Sequence, residues 1–418
     1  MLNIGDKIKQ LRKARKMTLA DVAGDRITKG MLSLIENGKA QPSMESLQHI
    51  ASQLGIDVAE LMQSENHQEI KELYGQVEKL RAALRKEYDK KAFVEKALEI
   101  HELIYPYVES GRLKGSTYEE VRIYEIYLTM RYHAKIDLSE KPFLQLAKMY
   151  EDVHAYSKIL NVFDNMAGIV FFEQRGYAEG LTYLFEGEKY IERYGDLIDD
   201  VEKIDTYYNI MVMSAALNDD ETMERYLELA LQLGKEKKIL YRLNDFYRFL
   251  FFIHCSNQEG EKAHYYLKKL RAFVEILEDP PEIVMEQIFT LIYMNQIEKD
   301  YEKTITTKFE RLDVPEDFYS MADVFFNGEY AYAYYMLGRY EEAMKRLEKT
   351  VILDENQHPI DLTRMYRAFA IRALCYLELG DKGNAKRDVL YAMDGVKDFK
   401  VTNDIQFIID AHEKIIRK

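Results

Sequence analysis

Only two cysteines occur in 418 residues, Cys255 and Cys375, each inside an apolar helical stretch, so buried thiols and a reducing compartment are expected rather than disulfides. Seven prolines and twenty glycines are few breakers for a chain of this length, which disfavours an all-β or disordered protein and leaves helix as the default. No apolar run approaches the ~18 residues that a membrane helix needs. The greasiest stretch, Phe246 to Cys255, falls far short, and the opening MLNIGDKIKQLRKARK lacks the apolar core of a signal peptide. A cytoplasmic protein without membrane contact is expected. The nine histidines are scattered without ligand spacing, and neither a glycine-rich phosphate loop nor a nucleophile motif is present. No metal, cofactor, catalytic residue or enzymatic activity is therefore expected. Acid pairs such as Asp199-Asp200 and Asp219-Asp220 read as turns and helix starts.

What is present is a soluble, globular composition, 47% hydrophobic and 31% charged, in a chain too long for one ordinary core. The formal charge of −14 argues against a protein coated in nucleic acid, but it is unevenly placed. From Ile4 to Gln41 there are nine Lys and Arg against four Asp and Glu, a local +5 (9 − 4) inside an acidic whole. Such a local field suits a nucleic-acid-contacting module.

The first sixty residues have the punctuation of short helices. Ile4 to Met17 is amphipathic, with Ile4, Ile8 and Leu11 on one face and lysines and arginines largely elsewhere. Thr18 can cap a short helix over Leu19–Ala23, a tight passage follows through Gly24, Asp25 and Arg26, and Thr28 can cap a helix over Lys29–Glu36. Asn37-Gly38 supplies a C-terminal stop. Helices over Met44–Leu54 and Val58–Gln63, separated by Gly55 and Asp57, complete a five-helix domain ending near Ser64.

Two short helices about an irregular turn, behind a basic helix, make a helix-turn-helix. The stretch Ile27 to Ser43, ITKGMLSLIENGKAQPS, followed by MESLQHIASQLGI, resembles the Xre or lambdoid-repressor type. The resemblance implies that the second motif helix enters the major groove of double-stranded DNA. It places Lys29, Gly30 and Leu34 where bases are usually read, and Thr28, Asn37 and Lys39 where phosphates are usually held. It also makes Arg12 and Glu36 a structural buried pair. The chain departs from the pattern in three places. Leu19 stands where the family commonly has Gln, Gly30 has no side chain to read with, and Leu34 can offer only apolar contact, for example to a thymine methyl. Base specificity is then expected either to be modest or to rest on Lys29 and DNA shape.

From Gln68 onward almost every segment has helical periodicity, and one segment gives a register. Tyr330 to Val351, YAYAYYMLGRYEEAMKRLEKTV, has small and aromatic residues on a first helix, a turn at Gly338, and Tyr340, Ala343 and Leu347 on a second. It resembles a tetratricopeptide repeat. Small residues there let paired helices approach, and large ones fill the gaps between pairs. Counterparts of Ala343 are Leu181, Met223, Ala263, Thr304 and Ala385, with weaker ones near Ala97 and Ser139. The successive spacings are 42, 42, 42, 40, 41, 39 and 42, so about eight helical hairpins are expected. The fold class expected is all-α: a lambda-repressor-like helix-turn-helix domain in residues 1–64, a linker helix in 65–90, and a right-handed tetratricopeptide-like superhelix in 91–418.

A period of about 41 exceeds the usual ~34. Longer hairpins, together with the DRITKGMLSLIENG turn, resemble the peptide-pheromone receptors of Gram-positive bacteria, the Rap, NprR, PlcR and Rgg family. That resemblance implies a superhelix whose first helices line a concave wall, where Asn side chains bond the main chain of an extended signalling peptide. The YNI at Tyr208–Ile210, with Asn209 fourteen residues before Met223, resembles a Rap-type YNIG at the same offset. Asn209 is thus the leading peptide-binding candidate. Asn165, Asn244 and Asn327 lie on other first helices, with Asp205, Arg248, Tyr293 and Arg367 near them in the register. Most of the 32 tyrosines, Tyr332 and Tyr376 among them, are expected to pack between helices. The function implied is a quorum-sensing transcriptional regulator that acts as a homodimer and responds to a short peptide. The alternative is a Rap-type adaptor that binds a response regulator.

Overall fold

The computed structural model describes residues 4–58, 61, 65–87, 89–136, 141–354 and 356–417, and every regular element among them is a helix. They form two compact units, Met1–Pro142 and Phe143–Lys418. No helix among the described residues is long and apolar enough to cross a membrane.

In the first unit α1 (Ile4–Ala14), α2 (Leu19–Ala23), α3 (Lys29–Glu36) and α4 (Met44–Leu54) enclose Ile8, Val22, Leu32, Ile35, Ile50 and Leu54. Thr18, Thr28 and Ser43 are their N-caps, each accepting a main-chain N–H from three residues on. Thr18 and Asp21 form a reciprocal capping box. Helix α1 stops at Ala14 rather than Met17, because Lys16 takes a left-handed φ of 57° and the Met17 carbonyl accepts from Arg12 Nη1 at 3.0 Å. The helix expected at Val58–Gln63 and the end near Ser64 lie mostly outside the described residues, as does Ser139. Three longer helices follow, α5 (Glu65–Leu84), α6 (Lys90–Glu109) and α7 (Tyr118–His133). Helix α5 packs on both α6 and α7. Arg112–Glu69 at 2.7 Å and Arg122–Glu78 at 3.2 Å tie the three together, and Ala97 of α6 is fully buried.

The boundary between the units falls in the first turn of α8 (Lys141–Asp152), and the second unit continues from it as antiparallel pairs. These are α9 and α10 (Tyr156–Gln174, Tyr177–Tyr194), α11 and α12 (Asp200–Ala216, Asp220–Lys237), and α13 and α14 (Leu243–Ser256, Gly260–Leu277). Next come α15 and α16 (Pro280–Tyr293, Tyr301–Thr306), α17 and α18 (Glu316–Met336, Tyr340–Arg346), and α19 and α20 (Pro359–Glu378, Lys382–Val396), with α21 (Asn403–Ile416) closing the series. Each register residue from Leu181 to Ala385 lies on a second helix and is buried, four of the six completely. It marks where a pair closes, with a side chain between Ala and Met in size filling the space between the two helices. Packing is also close at Gly180, where a Cβ would stand 2.6 Å from Met213 Sδ of α11 and require that side chain to shift. Asp199 and Asp219 cap α11 and α12. Gly338 turns α17 into α18 with φ +71°.

The pairs coil back on themselves. Tyr177 donates its hydroxyl to the Gln357 carbonyl at 2.5 Å, and Asn403 Nδ2 donates to the Ser256 carbonyl at 2.8 Å. Beneath these contacts lies a buried ionic cluster. Arg367 donates to Asp404 at 2.5 Å and also to Glu329, while Arg364 reaches Glu329 at 3.4 Å and Gln296 donates to Asp404 at 2.8 Å. Asn295, in a π-helical turn at Met294–Glu298, donates to Glu329 at 2.9 Å. Two guanidiniums thus balance two carboxylates away from water.

Candidate functional site

The exposed face of α3 is assembled by its burial pattern. At 100° per residue, Leu32, Ile35 and Glu36 occupy one arc, and all three are buried. Lys29, Gly30, Leu34 and Asn37 are exposed on the rest of the helix and its C-cap, with Lys39 just beyond. Arg12 holds Glu36 inward with two nearly parallel bonds of 2.6 and 2.7 Å, so the one acid of α3 is turned away from the exposed face. Burial opposes the charge on Arg12, but the hydrogen bond to Glu36 outweighs it and raises the guanidinium above its ordinary range. Thr28 Oγ1 accepts from Met31 N at 3.1 Å, which starts the helix. Asn37 donates to the Ser33 carbonyl at 2.7 Å and accepts from Lys9 Nζ at 3.3 Å, which brings a lysine of α1 to the same edge. All six residues expected to face DNA are therefore exposed together. Missed in the sequence were Lys9 and Met31, the latter 45% exposed beside Leu34 at 44%. The signal for Met31 was there, an apolar residue off the buried arc.

In the second unit the first helices α9, α11, α13 and α15 carry a continuous polar ladder. Thr206 donates to Asp164 at 3.2 Å, and Asp205 accepts from Tyr241 at 3.0 Å and from Arg242. Arg248 donates to Asp245 at 3.2 Å and to Glu282, which Asn244 also reaches at 3.4 Å. Asn209 is half-buried on this ladder. Asp164 Oδ1 is shielded from solvent without a hydrogen-bond partner. Burial pushes that carboxyl up to about 7, the approaching Asn209 amide lowers it, and the charge of Asp205 raises it. Asp205, Asn209, Asn244 and Arg248 are thus brought onto neighbouring helices. Partners roughly one repeat apart in sequence, such as Asp205 with Arg242, carried a signal that single-residue inspection overlooked.

Facing the ladder is the start of α19. A cavity of about 190 Å³ is lined by Tyr208, Asp245, Arg248, Phe252, His358 and Asp361, among others. A second, of about 210 Å³, shares Phe249, Phe252, His358 and Ile360 with it and extends to Lys400 and Asp404. His358 Nε2 lies 3.1 Å from the Val212 carbonyl, and Nδ1 accepts from Ile360 N at 3.2 Å. Burial lowers this imidazole to about 4, against the opposing effect of the Val212 bond, so the ring is neutral with its proton on Nε2. Sequence reasoning gave His358 no role.

Four expected ligand residues stand apart. Asn165 is exposed on α9 away from these bonds, and Asn327 accepts from Arg346 at 3.4 Å in a separate hollow with Arg311 and Tyr330. Tyr293 packs against the α13–α15 core with its ring 5.7 Å from His264. Arg367 is corrected outright: at 2% exposure it is sealed into the ionic cluster and cannot face a guest. The repeat register placed it on a first helix, but α21 covers that position. Among the described residues no group of His, Cys, Asp and Glu could hold a metal ion.

Residues 8–61 match the helix-turn-helix family model. The HTH-type transcriptional regulator DdrOP3 of Deinococcus deserti is 36% identical over 63 residues, 15% of this chain and 49% of that protein. The chain thus spans about half the length of this curated relative. Among solved structures, Bacillus thuringiensis PlcR in complex with the peptide PapR7 and DNA is 18% identical, with a TM-score of 0.37 over 69% of this chain and 99% of that one. The apo competence regulator ComR of Streptococcus vestibularis is 18% identical, with a TM-score of 0.32 over 66% and 93%. The Streptococcus dysgalactiae pheromone receptor Rgg2 is 15% identical, with a TM-score of 0.30 over 71% and 100%.

Proposed function

We propose that this chain is a sequence-specific DNA-binding transcriptional regulator, and that its helical array binds a short signalling peptide which changes its conformation or assembly. One observation carries the reading of the array: the ladder through Asp205, Asn209, Asn244 and Arg248 runs beside cavities lined by Tyr208, Phe249 and Phe252. Polar groups there can bond a peptide main chain while the aromatic hollows receive its side chains. The basic, exposed face of α3 supports the DNA half of the reading. A homodimer fits it, because two small readers on two-fold half-sites hold more phosphates than one. Peptide and DNA then act on each other only through differential affinity for two states of the protein.

The test is a titration of the full chain with short synthetic peptides copied from the reading frame beside its gene, followed by calorimetry and by DNA mobility shift. Saturable binding that alters DNA affinity or assembly is expected. A chain whose DNA binding and assembly ignore every such peptide would be a repressor whose array serves only to oligomerise it. A second reading, an adaptor that captures a response regulator, draws support from a groove of about 670 Å³ lined by Leu240, Tyr241, Leu243, Tyr247 and Tyr265. Retention of a response regulator without any selective DNA shift would favour it.

A further inference from the structure

We propose that α3 reads thymine methyl groups through an apolar pair, Met31 and Leu34, so that the duplex it selects carries thymines beneath that pair. The inference rests on the DNA-binding reading above and adds which base is recognised and by what.

The pair is exposed at 45% and 44%, and residues three apart are neighbours on a helix surface. One exposed leucine would mean little. Here two lie together on an eight-residue helix, and the residue between their flank and Lys29 is a glycine. On the wheel of 100° per residue, Gly30 falls near the middle of the exposed arc, with Lys29 on one side and Leu34 and Met31 on the other.

Among the described residues nothing crowds that glycine. A Cβ at position 30 would meet only Thr28 Oγ1, at 3.9 Å, and the backbone there is ordinary helix. Glycine within a helix is nevertheless less stable than alanine. Its lack of a side chain leaves the centre of the exposed face flat, so a partner surface can come close between Lys29 and the apolar pair.

Charge narrows the partner. The face carries Lys29, with Lys9 and Lys39 at its edge, while Glu36 is turned to Arg12 at 2.6 Å. A polyanion whose surface also offers apolar groups fits. In the major groove the thymine C5 methyl is the only apolar group on a base edge. Lys29 is left as the one donor among the base-reading positions, suited to a guanine O6 and N7.

The full chain is first used to enrich duplexes from a random pool, and each thymine of the enriched duplex is then replaced by deoxyuridine, which removes only the methyl. At the thymines under the pair, affinity should fall about fourfold per methyl, the effect of losing one buried methyl-sized group. The double variant Met31→Ala, Leu34→Ala should bind thymine and uracil duplexes equally. Neither side chain belongs to the buried core of the domain, and an unchanged thermal melt will show that the domain remains folded. Enrichment with no uracil penalty, or a penalty that survives in the double variant, overturns this inference alone. A chain that enriches no duplex overturns the DNA reading and the inference with it.

Discussion

The Nε2 of His358 lies 3.1 Å from the main-chain carbonyl of Val212, so the N-cap of α19 is tied to α11 across 146 residues of sequence. The bond needs a proton on Nε2 and the cap needs a lone pair on Nδ1, which only the neutral ring supplies together.

Acid should therefore loosen this tie. The folded imidazole titrates near 4, below the ordinary histidine value, so the neutral form is favoured by folding. Its contribution is present above about pH 6.5 and is lost as pH falls towards 4, on the order of 3 kcal/mol in all. Asp164 runs the other way: raised to about 7, it lowers stability as pH rises from about 4 to 7. The stability of the wild type minus that of His358→Asn isolates the histidine. This difference should be constant above pH 6.5 and shrink below it. A difference that does not change with pH would remove His358 from the closure.

Arg367 predicts a stability effect rather than a binding effect. Replacing it with Ala leaves Glu329 and Asp404 short of a buried partner, which costs about 3–5 kcal/mol when one side of such a pair is lost. Burial would raise the Asp404 carboxyl, but Arg367 and then Arg364 hold it below the ordinary carboxylate range. The variant should melt well below the wild type in denaturant titration. Wild-type stability with weakened peptide binding would return Arg367 to the ligand site.

The difference between these residues and the well-anticipated ones has a physical cause. Caps such as Thr18, Thr28 and Gly55 act within a few residues, so composition and spacing revealed them. The pair Arg12–Glu36 and the buried register residues were visible because a motif or a period carried them. The closure of α19 on α11 and the burial of Arg367 under α21 depend on how many hairpins make one turn of the coil. No local pattern encodes that number. The candidate groove was accordingly half legible: Asn209, Asp205, Asn244 and Arg248 share a ladder, whereas His358 and Asp164 emerge only from the packed structure.

Asn209→Ala should weaken peptide binding by on the order of 1–3 kcal/mol, through loss of a two-sided amide contact. It should also push the Asp164 carboxyl above its already raised value of about 7, because the approaching amide lowers it. Calorimetry reads the first effect and carboxyl NMR titration the second. An Asp164 shift with unchanged peptide affinity would mean that Asn209 serves the ladder and not the ligand.

Lys29 and Lys39 separate two kinds of DNA contact. Lys39 follows Gly38, whose φ of +69° turns the chain out of α3, and it lies where the helix-turn-helix resemblance puts a phosphate contact. Removing a phosphate contact weakens all sequences alike and releases about one fewer counterion, so Lys39→Ala should flatten the salt dependence of log K by about one unit. Lys29 stands in the first turn of α3, where the helix-turn-helix resemblance puts a base contact. Lys29→Ala should therefore lower affinity for the enriched duplex more than for random duplex, by about 1–3 kcal/mol at one base position. Binding isotherms at several salt concentrations on both duplexes distinguish the two. Equal losses on both duplexes for Lys29→Ala would make it a phosphate contact as well and would leave Met31 and Leu34 as the base readers of α3.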